Sequence, residues 1–557
     1  VLILRNFLSF LLFASMSFAA NPVIATDGVV SVASYLPSGF PNSGIAEGSL
    51  FVVFGSGLGP SSLQRLTGFP IPTQVGGTSI QATVNGTTVD CLMIYSSAGQ
   101  VAALLPSKTP VGDGTLVLTY NGAGSNAAPI HVVAHNFAAF TINQGGSGPA
   151  VATFGDYSPS TLFKPATPGT VMILWGTGLG PITSDETVGA PGGNMANLSV
   201  SLYVGGKQAQ VQYQGRSPGS VGLDQINFVV PSGVTGCFVP VALQLNGVIS
   251  NFTSIAISAD GNTCSDPLSP LSQVLSKVES GQTVRLGLAQ LSRLGVVISP
   301  AGLGTATINE DTGSAYFYSL NRDQFIGSLG VASLDTYGAC VVWTCRGGSC
   351  VPPTEPGGVS LLDAGSTLTV NGPMGSKSLT KGGSGSYGAT LGGGSLADAA
   401  GYLAPGSYTL SGTGGSGANA VGAFQATQNV GATPLTWSIT SNGGSGVVSR
   451  SSDMTVQWSG GTSNGYVALV GTSTSDDPQV TGTFGCTAKG SSGSFTVPKW
   501  VLSGLPASGT LNQSGIVLPN AFVLMGTYPA FNSFSAPGID VGFFTNFVVS
   551  GQNLQMK

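Results

Sequence analysis

The chain is poor in charge. Asp, Glu, Lys and Arg make up only 7% of its 557 residues, against about 25% in typical soluble domains. Its 17 Lys and Arg and net charge of −5 provide no dense basic footprint, which excludes nucleic acid as a partner. No polybasic stretch is available for anionic lipid. Histidine is nearly missing: the only two are His131 and His135. Nothing beyond residue 135 can therefore supply the imidazole of a Ser-His-Asp triad in the C-terminal regions. The two histidines lie in PIHVVAH, which reads as a strand. Residues four apart in a strand share a face but sit about 13 Å apart, too far to hold one zinc ion. They read as surface or inter-domain packing residues, and no metal or cofactor is expected. Beyond the first twenty residues no run is long and apolar enough to cross a membrane, so no span is expected in the mature chain.

What is plentiful is glycine, 85 residues of it, and repetition. GSLFVVFGSGLGP (Gly48 to Pro60) and GTVMILWGTGLGP (Gly169 to Pro181) are one unit written twice: apolar strand, glycine turn, proline stop. The match runs on. QVAALLP (Gln100 to Pro106) corresponds to QINFVVP (Gln225 to Pro231), and Tyr120-Asn121-Gly122 to Leu245-Asn246-Gly247, at one shared offset. Asn-Gly between two strands is a favoured hairpin turn, because both residues tolerate positive φ. Short apolar runs separated by Gly, Pro, Asn and Ser predict an all-β chain of β-sandwiches. The expected division is a signal peptide over 1–19, sandwich domains over 20–145 and 146–264, a β-rich domain over 265–432 and a C-terminal sandwich over 433–557. The signal reading rests on Arg5, the apolar run Phe7 to Phe18 and the small-x-small site Ser17-Phe18-Ala19, which places the mature start near Ala20. Asp266 to Ser280, with two prolines, reads as a linker or a short helix.

Export permits disulfides, and there are seven cysteines. Cys237 and Cys264 bracket a strand pair and a short loop and are paired on that ground. Cys340, Cys345, Cys350 and Cys486 allow three pairings that the sequence does not rank. Cys91, in the apolar segment VDCLMIY, reads as a free, buried thiol.

The order AEGSLFVVFGSGLGP, VGGTSIQATVNG and QVAALLPSKTPVGDGTLVLTYNG resembles the immunoglobulin-like IPT/TIG domains. It is most similar to the uncharacterised immunoglobulin-like family of secreted acidobacterial proteins. The second copy (PGTVMILWGTGLGP, LDQINFVVP, VALQLNG) matches at least as well, and the resemblance covers about residues 22–258. It implies tandem immunoglobulin-like sandwiches and brings no catalytic residues with it.

The remaining chemistry is sparse. FGSGLGP (Phe54 to Pro60) has proline where a dinucleotide loop needs its last glycine, and no helix follows, so it reads as a strand-ending turn. Asp453, Asp476-Asp477 and Asp540 read as turn or solvated carboxylates, with no motif that places two across a cleft. NEDTG (Asn309 to Gly313) lacks the alternating oxygens of a calcium loop. Trp175 replaces Phe54 in the repeat, which reads as core. Trp437 and Trp458, in the alternating runs LTWSIT and VQWSGG, are core residues or a ligand platform. The apolar run DVGFFTNFVVSG (Asp540 to Gly551) is the candidate for an exposed sheet edge.

The expected function is a non-enzymatic, secreted or cell-surface protein for adhesion, matrix contact or display, its partner an extracellular protein or polysaccharide. The alternative is a polysaccharide-binding or polysaccharide-degrading protein with immunoglobulin-like spacers. Solvent-facing rings in 433–557 favour the alternative; buried rings favour adhesion.

Overall fold

A computed structural model describes residues 21–557 apart from 190–192, 265–269, 299–305, 326–337, 347–358, 384, 395–400, 432–434, 441–442, 445, 461–464, 514–515 and 528–530. The expected leader, 1–19, lies outside the described residues. The fold is all-β, with immunoglobulin-like sandwiches at the start and, among the described residues, only short helical turns between strands.

The first domain closes two sheets over one core. One sheet orders Val23–Ser31, Leu50–Ser56, Gln100–Leu104, Leu92–Ser96 and Gln64–Arg65; the other is built on Ala128–Val133, Gly112–Tyr120 and Thr78–Val84. Period-two patterning makes the core. Ile80, Ala82 and Val84 alternate inward along Thr78–Val84 and meet Phe51 and Val53 from the facing sheet. The second domain repeats this with Val171–Thr177, Asp224–Val229 and Lys207–Arg216, and Lys207–Arg216 passes from one layer to the other through a register shift between Val211 and Tyr213. Its first strand, Ala138–Ala139, already pairs with Val171–Thr177, so the domain begins ahead of the expected residue 146. The hairpin asparagines Asn121 and Asn246 have φ of 48° and 49°, the left-handed turn geometry that Asn-Gly favours.

The expected boundary at 432/433 does not divide the C-terminal half. One fourteen-stranded sheet draws on both sides of it. Val284–Ile298 forms a hairpin with Ala306–Leu320 and on its other edge runs parallel to Val541–Asn553. One core takes Phe534, Ala536 and Phe544 to complete residues from 289–430, and another takes Cys340 and Val342 into residues from 448–556. The run DVGFFTNFVVSG is accordingly not an edge. Val541–Asn553 lies between Val284–Ile298 and Ala521–Thr527, with Val541 and Phe543 in one core and Phe544 in another. A largely apolar run, broken here at Thr545-Asn546, is what a strand buried on both faces requires, whereas an edge strand needs stronger polar or charged interruption.

The domains are joined by buried contacts. Between the first two, the Arg216 guanidinium is fully enclosed, pairs with buried Asp224, and donates to the carbonyls of Gly48 in the first domain and Gly180 in the second. The second Asp224 oxygen accepts the Leu179 N–H at 2.7 Å. Around this pair the Leu50 N–H donates to the Thr177 hydroxyl (3.0 Å), the Ser107 N–H donates to the Glu186 carboxylate (2.8 Å), and Val221 packs against Ile71, Leu92 and Leu104. The second domain meets the C-terminal body through Trp500, which stacks on Tyr203 with ring centroids 4.3 Å apart and on Phe252 at 5.9 Å. The segment around Asp266 to Ser280 contributes a short helix, Leu275–Glu279, to a shared core of Leu275 and Val278 with Cys237, Phe238 and Cys264. Of its two sequence readings the helix is the one seen, over the described part.

Asp224→Ala strands a buried guanidinium and is expected to cost about 3–5 kcal/mol, while Arg216→Met combined with Asp224→Leu costs much less. Urea unfolding of the two variants measures the difference. Trp500→Ala removes both stacks and is expected to cost about 3–5 kcal/mol; the same assay checks it, with limited proteolysis reporting whether cleavage concentrates between the second domain and the C-terminal body.

Candidate functional site

The residues singled out in the sequence are mostly structural. In the first glycine turn Leu58 is a buried plug, and in the second Leu179 is. A side chain on Gly178, at φ 106°, would drive its Cβ to 2.0 Å from the Asn136 carbonyl. The turns end strands and hold no anion cradle followed by a helix. His131 sits on the surface, 2.6 Å from Asp113, and the His135 imidazole Nδ1 lies 2.7 Å from the Leu179 carbonyl at the inter-domain junction. Among the described residues no group of His, Cys, Asp and Glu is placed to hold a metal ion. Asp453 accepts the Lys499 N–H (2.7 Å), Asp476 accepts the Thr510 N–H (2.8 Å), and Asp540 pairs with Lys277 (2.6 Å) and accepts the Arg285 N–H (2.7 Å). In NEDTG, Asp311 is buried in a strand, with its oxygens 2.7 and 2.6 Å from the Arg293 guanidinium nitrogens.

Cys237 is bonded to Cys264, and Cys340 to Cys486, which rules out the two pairings that join Cys340 to Cys345 or Cys350. Cys350 lies outside the described residues. Cys91 is free and fully buried, and burial pushes its thiol well above the ordinary range.

Trp458 is 8% exposed and its indole N–H donates to the Gly490 carbonyl at 2.8 Å, so it is a core residue and not a platform. Trp437, its cross-strand partner, is half-buried against the same core and donates to the Ser550 hydroxyl at 2.6 Å. Two indoles on one sheet face fill that core as any large inward residues would.

Trp175 departs from its sequence reading. In the strand Val171–Thr177, Met172 and Leu174 enter the core while Trp175 points outward, as Phe54 does beside Phe51 and Val53 in the first domain. Each outward ring meets a tyrosine held in the left-handed region. Tyr157, at φ 63°, lies 6.1 Å from Trp175 with the rings inclined by 33°; Tyr35, at φ 54°, lies 6.2 Å from Phe54, inclined by 41°. Positive φ is uncommon for a bulky non-glycine residue, and its occurrence at equivalent places in both domains marks a retained feature. The pattern extends across the sheet. Gln100 is opposite Phe54 and Gln225 opposite Trp175, and Tyr95 and Tyr213 each follow a register shift in the next strand. Gln100 donates to the Tyr95 hydroxyl at 2.6 Å, and burial, with the Tyr35 ring beside it, pushes that phenol up to about 12. In the second domain the Trp175 indole N–H donates to the Thr153 hydroxyl (3.0 Å) and Gln225 donates to the Asn227 side chain (2.8 Å). Tyr157 is 65% exposed. The sequence signal that marks these faces is the repeated Tyr-x-Pro-Ser, Tyr35 to Ser38 and Tyr157 to Ser160, ahead of each outward ring.

Elsewhere, an open cleft of about 540 Å3 is formed by the loop from Gln64 to Gly76, with Arg65 and half-exposed Phe69 on its rim. No helix among the described residues is long and apolar enough to cross a membrane.

Neither a family model nor a curated relative matches the sequence. Among solved structures, domains 5–6 of the S-layer protein SbsC align at 13% identity over 42% of this chain and 98% of that one, with a TM-score of 0.17. SGBP-B from a complex xyloglucan utilization locus in Bacteroides uniformis aligns at 10% identity over 66% and 86%, with a TM-score of 0.15. Immunoglobulin domains 1–4 of Sidekick-1 align at 11% identity over 95% and 100%, with a TM-score of 0.11. Values of this size assign no function, and the all-β immunoglobulin-like class rests on the strand pairing itself.

Cys91 is expected to resist alkylation in the native chain and to react once the first domain is unfolded in denaturant, which peptide mass mapping after iodoacetamide treatment checks.

Proposed function

We propose that the chain is an exported, non-enzymatic protein of the cell surface or extracellular matrix, in which two immunoglobulin-like domains and a C-terminal β body act as one stiff adhesive arm. The observation that carries this reading is the continuity of the buried joints, from the Arg216–Asp224 pair to the Trp500 stack. An arm that bears load between a cell and a surface gains from joints that do not flex. Two disulfides support an oxidising compartment outside the cytoplasm. The expected membership of an IPT/TIG-like family of secreted proteins points the same way. Burial of Trp458 and Trp500, with Trp437 half-buried, leaves no row of open indoles among the described residues of 433–557, the feature that favours the polysaccharide-binding or polysaccharide-degrading alternative.

The test pairs location with adhesion. Protease treatment of intact cells of the source organism is expected to release fragments of the chain, and beads coated with the purified mature protein to retain those cells. Confinement of the protein to the cytoplasmic fraction, or release of reducing sugar from a polysaccharide panel, overturns the proposal.

A further inference from the structure

We infer that the outward face of the second domain, centred on Tyr157 and Trp175, binds a neutral polysaccharide, and that the matching face of the first domain is a second, more enclosed site of the same kind. The inference rests on the adhesive reading and gives that arm a ligand. Tyr157 is the large, open ring of this face, carried over Trp175 by a strained backbone position that recurs in both domains. Both tyrosines lie outside the strands, meet the outward rings and belong to neither core, so the strain repeated in the two copies is not needed to close a sandwich.

The chemistry around the rings selects the ligand. Trp175 faces Gln225 across the ladder, Ile173 faces Asn227, and Thr153 stands beside Ile173; Gln225 and Ile173 are buried, while Asn227 and Thr153 are half-buried at the rings. Rings flanked by an amide and a hydroxyl suit a sugar, whose C–H face lies on an aromatic surface while its hydroxyls take polar donors and acceptors. The nearest charges are of opposite sign and meet on one residue: Asp156 accepts from the Ser158 N–H (2.9 Å) and hydroxyl (2.6 Å), and Lys164 donates to the Ser158 hydroxyl (2.7 Å). Together they add no net charge to the face, which complements an uncharged ligand better than an acidic chain. The first domain offers the same elements, Tyr35, Phe54 and Gln100, with Tyr95 beside them. Tandem copies of one face match a ligand that itself repeats, because two weak contacts on one polymer reinforce each other.

The test uses the full mature chain in native gels cast with xyloglucan, mixed-linkage β-glucan, galactomannan or, as the charged comparison, alginate. At least one neutral polymer is expected to retard the protein. Tyr157→Ala is expected to weaken that binding about tenfold or more, since truncating a central aromatic anchor removes most of a contact's energy. Tyr157→Phe keeps the ring and most of the binding. Tyr316→Ala, at a residue 47% exposed on the C-terminal hairpin, is expected to migrate as the unaltered protein does. Circular dichroism and melting temperature confirm that each variant is folded. Absence of retardation by all three neutral polymers, retardation by alginate alone, or unchanged binding in folded Tyr157→Ala overturns the inference. Bead retention of cells measured on the same preparations separates the two claims. Retention without polysaccharide binding sinks the glycan site and leaves the adhesive reading, while polysaccharide binding without retention sinks the adhesive reading alone.

Discussion

A single enclosed ion pair sets the geometry of the N-terminal half. Arg216 and Asp224 have no access to water, and two charges in that setting are tolerable only if every strong donor and acceptor around them is used. The structure meets this demand by recruiting groups from separate places: the Gly48 carbonyl from the first domain, the Gly180 carbonyl and the Leu179 N–H from the second glycine turn. The angle between the domains is therefore an electrostatic condition. Rotation about the linker would pull Gly48 from the guanidinium and leave a donor unsatisfied in a dry interior. The first copy of the turn manages without charge, because the Leu58 N–H donates to the Ala98 carbonyl instead. The ion pair belongs to the junction and not to the fold of each repeat.

The same economy of charge runs through the molecule. Where one body meets another, the contact is made by aromatic stacking on Trp500, by Leu36 and Phe40 against Val480, or by helix residues Leu275 and Val278 sharing a core with Phe238. Inter-domain surfaces within one chain are usually modest and polar, which lets domains move. Here the joints to the C-terminal body are apolar and continuous with the cores, and the joint between the first two domains is polar but buried. Such joints are what the proposed stiff arm requires.

Much of this was legible in sequence, for reasons that can be named. The doubled glycine turn, the Asn-Gly hairpins and the short alternating runs are local signals, and they lead directly to two sandwiches. The Cys237–Cys264 bond joins residues close in sequence, whereas Cys340 and Cys486 are brought together only by the sheet that pairs their strands. The C-terminal division failed for a related reason: the pairing of Val284–Ile298 with Val541–Asn553 is long-range, and apolar pattern does not state which strand lies beside which. Trp175 was misread because equivalence to Phe54 says that two residues occupy one position, not which face that position serves. Alternation with Met172 and Leu174 decides the face, and it turns the pair outward. The tyrosines escaped notice because a positive φ at Tyr35 and Tyr157 leaves no mark in composition beyond the short Tyr-x-Pro-Ser echo.

The parallel ladder between Val284–Ile298 and Val541–Asn553 also governs when the molecule becomes a molecule. Leu286 pairs with Tyr318 on one side, inside the hairpin, but on the other only with Val541, so the hairpin that opens the C-terminal body waits with one flank bare until the segment from Val541 has been made. Contacts this distant in sequence form slowly, since the intervening chain must first be confined. During synthesis the N-terminal sandwiches have all their own strands early, while the region behind them stays unclosed.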